Sequence, residues 1–407
     1  MAEALARRGH TVHVITYGYG EYEYLPSYRM HRIPTLPLPK SFRSGPHASK
    51  LLLDPLLALK IIGVASREKA EILHAHNHEA VFASWPAAKL LGVPLVYHSH
   101  TILEKEFPTY WRAPRLRAFA VQAARALEKL TFSMADHLIA VSEEELRHFA
   151  LSGRRPEDMT CITPGIAIEE NPVSFGGPLP FRSPSPLSPS PEGGGEGEGG
   201  SSSGRECEGS GGGREHDRRE EEGALCYMGN LDEYQDLTTL FRAVKLASAR
   251  RGETTLYVVT RSPWEEHLKR AESMGIERHV RFIRPDTFPE ALSLLERCPV
   301  SVITRNIASG FPVKLLNYMA SGRAIIATRS SSKMLAHGEN ALVVEDGDQE
   351  GLARAILLLM EDPALRRRLG ENARTLAKNE FSWEARTGLL ESLYGKLLEK
   401  KDAGRAA

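Results

Sequence analysis

A chain of 407 residues is longer than one hydrophobic core ordinarily organises, so length alone predicts two domains, each large enough to bury a core. Its 52 lysines and arginines balance 52 aspartates and glutamates, which excludes a global field drawing it to nucleic acid or another polyanion and leaves recognition to local charge. The four cysteines, Cys161, Cys207, Cys226 and Cys298, form no C-x-x-C pair and stand at no zinc spacing from a histidine, which argues against a disulfide framework or structural metal and fits a reducing cytoplasm.

The opening MAEALARRGH carries no apolar signal core, and the richest apolar run, LLLDPLLALKIIGVA from Leu51, is interrupted by Asp54, Pro55 and Lys60, so no segment reads as a membrane span. A helix over Ala2 to Arg8 is followed by the β-branched run TVHVIT from Thr11. Further runs follow at ILHAHN from Ile72, LVYHSH from Leu95, HLIAVS from His137 and MTCITP from Met159. Amphipathic stretches over Glu79 to Leu91 and Pro114 to Phe132 separate them. This alternation predicts a parallel sheet covered by helices, a Rossmann-like half. Ser142 and Glu145 form an S-x-x-E capping box opening the helix after HLIAV. A Rossmann half normally begins with a strand and a glycine turn before its first helix; here the helix comes first, so the first domain is expected to lack its opening strand.

From about Asn171 to Gly223 the chain is glycine, serine, proline and charge with almost no aliphatic residues, a composition that cannot pack a core and predicts disorder. The alternation then resumes with LCYMGN from Leu225, TLYVVT from Thr255, VRFI from Val280, VSVIT from Val300, AIIAT from Ala324 and ALVV from Ala341. Helices are expected over Asp236 to Arg250, Trp264 to Met274, Phe288 to Glu296 and Pro312 to Ser321. Beyond Asp348 only helical patterns remain, the last from Trp383 to Leu398. The expected organisation is a first domain over 1–170, a disordered insert over 171–223, a nucleotide-binding domain over 224–382, and a final helix over 383–407 that crosses back to the first domain.

The stretch SGFPVKLLNYMASG, Ser309 to Gly322, carries the most chemistry. A glycine permits close backbone approach, Pro312 preorganises a first helical turn, and Gly322 caps the helix before a buried strand. The free N–H groups and positive dipole end of such a helix suit a diphosphate. The same pattern also opens ordinary helices of α/β proteins, and the flanking segments decide between the two.

With those flanks the sequence resembles the family 4 glycosyltransferases. Their signature is a glutamate, Gly-Phe-Pro or Gly-Phe-Gly, and a helix with a second glutamate eight positions after the first. Gly310, Phe311 and Pro312 match the loop and Lys314 follows in the first turn, while the glutamate positions fall on Ser309 and Asn317. HGENALVVEDGD from His337 and FSWEARTGLLESLY from Phe381 match the family's later segments. The resemblance implies a GT-B fold, α/β with two Rossmann-like parallel-sheet domains facing a central cleft.

It also implies a donor site for a nucleotide-sugar. Asn317 can hydrogen-bond a ribose and Ser309 can act near a sugar, but neither supplies charge. Where many members place an arginine and a lysine after the first strand of the donor domain, this chain has Asn230 and Gln235 or Asp236. The remaining cations for a diphosphate are Arg305, Lys314 and Arg261, at or near strand ends. In the first half, the family's histidine after the strand resembling VYHSHT falls on His100, with His98 beside it; these are the expected catalytic residues.

A zinc site in HAHNH and HSHT is the competing reading for the histidines, and the absence of a carboxylate or thiol at motif spacing argues against it. The DGD at Asp346 sits where turn and cap chemistry accounts for it. No metal and no cofactor beyond the sugar donor are expected. The segment Tyr28 to Gly63 mixes basic and apolar residues and reads either as a surface for anionic lipid or as a loop and core-facing helix.

The resemblance implies retaining, metal-independent transfer of a hexose or N-acetylhexosamine to a glycan or lipid-linked acceptor of the cell envelope, in the cytoplasm or peripheral to the cytoplasmic face of the membrane. Two alternatives stay open: an inactive or truncated GT-B protein that binds a nucleotide-sugar or partner without turnover, and a nucleotide-sugar epimerase, for which no carboxylate acid and base can be located.

Overall fold

The structure, a computed structural model, describes residues 1–18, 27–35, 50–107, 113–168, 223–252, 254–306 and 311–406. The insert expected over 171–223 lies outside the described residues except for Gly223, as do Ser309 and Gly310 and positions 36–49 of the basic and apolar segment. The chain divides into two compact units. One is built on Met1–Ile168, Ala308–Leu316 and Leu376–Ala407, the other on Glu169–Ile307 and Asn317–Thr375.

In the first unit, α1 (Ala2–Arg7) leads into β1 (His13–Thr16), β2 (Arg29–Arg32), α2 (Lys50–Arg67), β3 (Leu73–His76), α3 (Asn77–Leu91), β4 (Leu95–His98), α4 (Leu103–Glu106), α5 (Pro114–Met134), β5 (His137–Ala140), α6 (Glu143–Leu151) and β6 (Met159–Cys161). The strands form two parallel sheets where the alternation predicts one: a pair, β1 with β2, and a four-stranded sheet in the order β3-β4-β5-β6. β2 escapes sequence reading because its residues, RMHR, show no apolar alternation.

Period-two alternation sorts the residues of the four-stranded sheet. Leu73, Ala75, Leu95, Tyr97, Leu138 and Ala140 face a core completed by Leu53, Leu57 and Ile61 of α2 and by Val81 and Ala87 of α3. The apolar side of α2 is therefore spent inside the protein, which removes it from the lipid-facing surface considered for Tyr28 to Gly63. Val96, Ile139 and Ile162 face the other way, onto Leu390, Leu393 and Leu397 of the last helix, whose i, i+3, i+7 spacing gives one apolar stripe. Gly165 admits that helix closely: a Cβ there would lie 2.6 Å from the Trp383 ring.

Ser142 caps α6 by accepting from the Glu145 N–H at 3.3 Å. The Glu145 carboxylate reaches back to the Val141 N–H at 3.0 Å, one residue beyond the cap itself.

The second unit runs β7 (Ala224–Met228), α7 (Leu237–Arg251), β8 (Thr255–Val259), α8 (Glu265–Ser273), β9 (Val280–Ile283), α9 (Phe288–Arg297), β10 (Val300–Ile303), α10 (Val313–Ser321), β11 (Ala324–Thr328), β12 (Leu342–Val344), α11 (Gln349–Glu361) and the start of α12 (Pro363–Phe381); α13 (Trp383–Ala406) closes the chain in the first unit. Its six parallel strands lie in the order β12-β11-β10-β7-β8-β9. Counted from β7 this is the doubly wound order 3-2-1-4-5-6, whose direction reverses between β7 and β10.

The turn residues explain themselves locally. Asp236, in the left-handed region at φ 47°, caps α7 by accepting from the Thr239 N–H. Asp348 caps α11 through the Gly351 N–H, and Asp346 accepts from the Ser330 N–H, so both acids of the DGD are occupied with turn and cap chemistry. Gly322 ends α10 at φ 69°, and Gly370 of α12 lies so close that a Cβ there would stand 2.0 Å from the Gly322 carbonyl oxygen.

Candidate active site

In open α/β sheets ligands bind outside the carboxyl ends of the strands where the order reverses, which in the second unit is between β7 and β10. The loops leaving those two strands are tied together there. Thr304 donates its hydroxyl to the Gln235 carbonyl at 2.7 Å, and the Asn306 N–H reaches the Tyr234 carbonyl at 3.0 Å.

Arg305 sits at this crossing. Its backbone is clamped to β11, the N–H donating to Thr328 Oγ1 and the Thr328 hydroxyl donating back to its carbonyl, both at 3.0 Å. Its guanidinium lies 5.4 Å from the centre of the Tyr234 ring, a cation–π contact that orients the planar fork. A planar guanidinium held at a switch point has the geometry that bidentate anion binding requires.

Asn230 is close by but occupied. Its amide donates to Asp232 and to Tyr234 Oη at 3.2 Å, its oxygen accepts from Gln235 at 2.7 Å, and its carbonyl accepts from the Tyr227 hydroxyl at 2.6 Å. The residue stiffens the loop that carries Tyr234. Arg261, one residue beyond Thr260 at the end of β8, is exposed, and its carbonyl accepts a long bond of 3.4 Å from Arg284.

On the following helix Phe311 is half-buried, Pro312 is buried just ahead of α10, Lys314 is half-buried in the first turn and Asn317 is buried. Tyr318, which the sequence did not single out, is fully buried and bridges to β7: its hydroxyl accepts from the Met228 N–H at 2.8 Å and donates to the Met228 carbonyl at 3.2 Å. An aromatic at this place in an apolar run carries no mark that distinguishes it from ordinary core.

In the first unit the histidines gather at the carboxyl ends of β3 and β4. Parallel register sets His76 opposite His98, and the pleat puts His74, His76 and His98 on one face, with His100 two residues past β4. Their rings stack, His76 on His100 at 5.1 Å and 18°, His98 on His100 at 4.8 Å and 16°, His74 on His76 at 4.8 Å and 27°. His100 Nε2 lies 2.8 Å from His76 Nδ1, and His74 Nε2 lies 3.0 Å from His98 Nδ1. His74 Nδ1 meets the Tyr394 hydroxyl of α13 at 2.5 Å.

Burial, reinforced by neighbouring imidazoles, holds His74 and His98 well below the ordinary histidine value. His76 keeps an exposed edge, yet burial of its faces, with His100 next to it, lowers it to about 4. Burial also lowers His100. Neutral imidazoles near pH 7 offer both a donor and an acceptor for proton transfer. His78 is different: it is buried on α3 with a Tyr97 hydroxyl contact at 3.1 Å and is core.

Residues 1–170 match the Glycosyltransferase Family 4 profile and residues 222–362 the Glycosyl transferases group 1 profile. The chain belongs to the family 4, group 1 glycosyltransferases. The enzyme is therefore a glycosyltransferase of a retaining, metal-independent family that uses nucleotide-sugar donors, with the GT-B fold.

The glycosyltransferase is 23% identical over 386 residues to D-inositol 3-phosphate glycosyltransferase of Corynebacterium glutamicum, a match spanning 88% of this chain and 82% of that protein. It is 33% identical over 167 residues to the lipopolysaccharide core biosynthesis glycosyltransferase LpsE of Rhizobium meliloti, covering 39% of this chain and 46% of that protein. An uncharacterized glycosyltransferase of Methanocaldococcus jannaschii is 24% identical over 177 residues, 43% of this chain, and the match spans 45% of its length.

Among solved structures, sucrose-phosphate synthase of Thermosynechococcus elongatus superposes with a TM-score of 0.70 at 19% identity over 98% of this chain and 92% of that one. HepE of Anabaena, in complex with UDP and glucose, gives 0.61 at 18% identity over 90% and 86%. Among the described residues no helix is long and apolar enough to cross a membrane.

Proposed function

We propose that this glycosyltransferase moves a hexose or N-acetylhexosamine from a nucleotide-sugar to a glycan or lipid-linked acceptor, with Arg305 as the principal cation for the donor diphosphate. The observation that carries this reading is the clamped, Tyr234-stacked Arg305 at the β7 to β10 switch point. The solved complex of HepE with UDP-glucose and the lipopolysaccharide role in the name of LpsE support the donor and acceptor classes.

In a retaining transfer the departing diphosphate gathers charge and helps deprotonate the acceptor, so oriented cations and N–H donors matter more than a strong base. Arg305, Arg261 and Lys314 meet that charge together with the positive dipole end of α10; the N–H groups of its first turn are partly spent, Val313 on the Phe311 carbonyl at 2.9 Å and Leu315 on the Pro312 carbonyl at 2.8 Å. By its place in the signature Gly310, outside the described residues, is assigned to backbone contact with the donor, with Phe311 and Pro312 after it. Asn317 is assigned to the ribose hydroxyls and Ser309, outside the described residues, to the sugar by its position in the signature, while Asn230 shapes the loop from which Tyr234 projects. In the first unit His100, aligned by His76, is assigned the catalytic role, with His98 second.

A lipid-linked acceptor calls for contact with an anionic membrane surface. With the apolar side of α2 buried, that contact falls to the start of α5, where Leu116 and Phe119 are exposed beside exposed Arg115 and Arg117.

The test is incubation of the full chain with a panel of nucleotide-sugars, UDP-glucose first, in the presence of glycan and lipid-linked acceptors. Transfer that falls sharply in Arg305→Ala supports the reading; absence of transfer, hydrolysis and binding with every donor overturns it. A second reading is favoured by Ser309 and Asn317, which are uncharged where the family signature has glutamates: a protein that binds the donor without turnover. Calorimetric binding of UDP-glucose with no product would select it.

A further inference from the structure

The histidine cluster carries chemistry beyond the proposed catalytic role of its members. One donor nitrogen from each of His74, His76 and His98 lies within 4.8 Å of the others. The arrangement is built by the sheet, since β3 supplies two imidazoles at i and i+2 and parallel register brings His98 of β4 opposite the second.

The surroundings have the form of a metal-ligand shell. A ligating histidine characteristically commits its other ring nitrogen to an outer partner, which fixes the tautomer and the ring plane. His74 does so to the Tyr394 hydroxyl at 2.5 Å and His76 to His100 at 2.8 Å. His98 faces them from β4: its Nδ1 stands 3.0 Å from His74 Nε2, a contact that an ion shared by the two rings would replace, and its Nε2 is buried with no hydrogen-bond partner among the described residues. A buried unpaired imidazole nitrogen is costly unless something binds it.

We infer that His74, His76 and His98 form a three-imidazole site for a divalent ion of the zinc, cobalt and nickel class. Neutral nitrogens of intermediate softness select that class over magnesium or calcium, which require oxygen ligands. Linear spacing argued against the site because H-x-H followed by a histidine one helix later matches no zinc motif; convergence comes from register. The family transfers sugar without a metal, so the ion is not assigned to the reaction, and the inference stands whether or not the proposed donor and acceptor are correct.

The experiment uses the full chain purified without a histidine tag and stripped with chelator, titrated with Co²⁺ and followed by visible d–d absorption, then challenged with Zn²⁺. The expected result is one Co²⁺ per chain, displaced by equimolar Zn²⁺. His76→Ala, at the most exposed of the three positions, should weaken Co²⁺ by about tenfold or more, the loss that even an outer partner produces at such sites, with an unchanged circular dichroism spectrum. His98→Gln should do the same.

The control is His148→Ala, which dismantles the other convergent group, Glu104, Glu128 and His148, and should leave Co²⁺ binding intact. No stoichiometric Co²⁺ signal, or a signal lost in His148→Ala and kept in His76→Ala, overturns the inference.

Discussion

His74 and Tyr394 stand 320 positions apart in the chain and meet through a contact of 2.5 Å between Nδ1 and Oη. The phenol is the point where the last helix grips the end of β3. Tyr394→Phe keeps the ring and removes the hydroxyl, leaving a largely buried imidazole nitrogen without its partner. The expected cost is about 1–2 kcal/mol, read as a lower urea midpoint with an unchanged slope; an unaltered midpoint would show that the bond contributes nothing to stability.

Acid should unfold the first unit early. His137 is buried, with its Nε2 2.9 Å from Thr160 Oγ1, and burial lowers it from the usual 6.5 to about 4. Its folded value lies below the unfolded one, so its contribution is complete above about pH 6.5 and is lost as pH falls toward 4, where both states bind the proton. At about 1.4 kcal/mol per pH unit the loss reaches about 3 kcal/mol for this residue, and His74 and His98 act in the same direction. Denaturant midpoints measured from neutral pH down to about pH 4.5 should drop steeply, and less steeply in His137→Gln.

The two parts of the proposed site should separate kinetically. Arg305→Ala removes donor anchoring and should raise KM for the nucleotide-sugar by about tenfold or more. His100→Ala should lower kcat by about a hundredfold with little effect on KM. Steady-state kinetics with varied donor distinguishes them, and a His100→Ala enzyme with native kcat would remove that residue from the reaction.

Gly370 cannot carry a side chain without moving backbone. A Cβ there would collide with the Gly322 carbonyl oxygen at 2.0 Å, and neither partner is a flexible side-chain end. Gly370→Ala is expected to cost about 2–3 kcal/mol, seen as a lowered thermal midpoint. Gly338→Ala meets no atom within 4 Å and is strained only through its φ of 78°, so it should cost about 1 kcal/mol.

Much of this architecture was legible in the residues. β-branched runs marked strands in both units because a buried parallel strand needs little except apolar, branched side chains, and Ser142 and Glu145 announced their helix by local chemistry alone. What stayed hidden depends on register or distance. RMHR pairs as β2 without an apolar pattern, and Tyr234 becomes informative only when β10 delivers Arg305 onto its ring. The four histidines were visible in the sequence, but only the pairing of β3 with β4 shows that they touch.

The stripe Leu390, Leu393 and Leu397 covers Val96, Ile139 and Ile162, so a sheet made early is closed by a helix made long after it. While the intervening residues are being synthesised, one face of that sheet has no apolar cover. A nascent chain halted before Trp383 should therefore be a chaperone client in its first half, and emergence of α13 should free it.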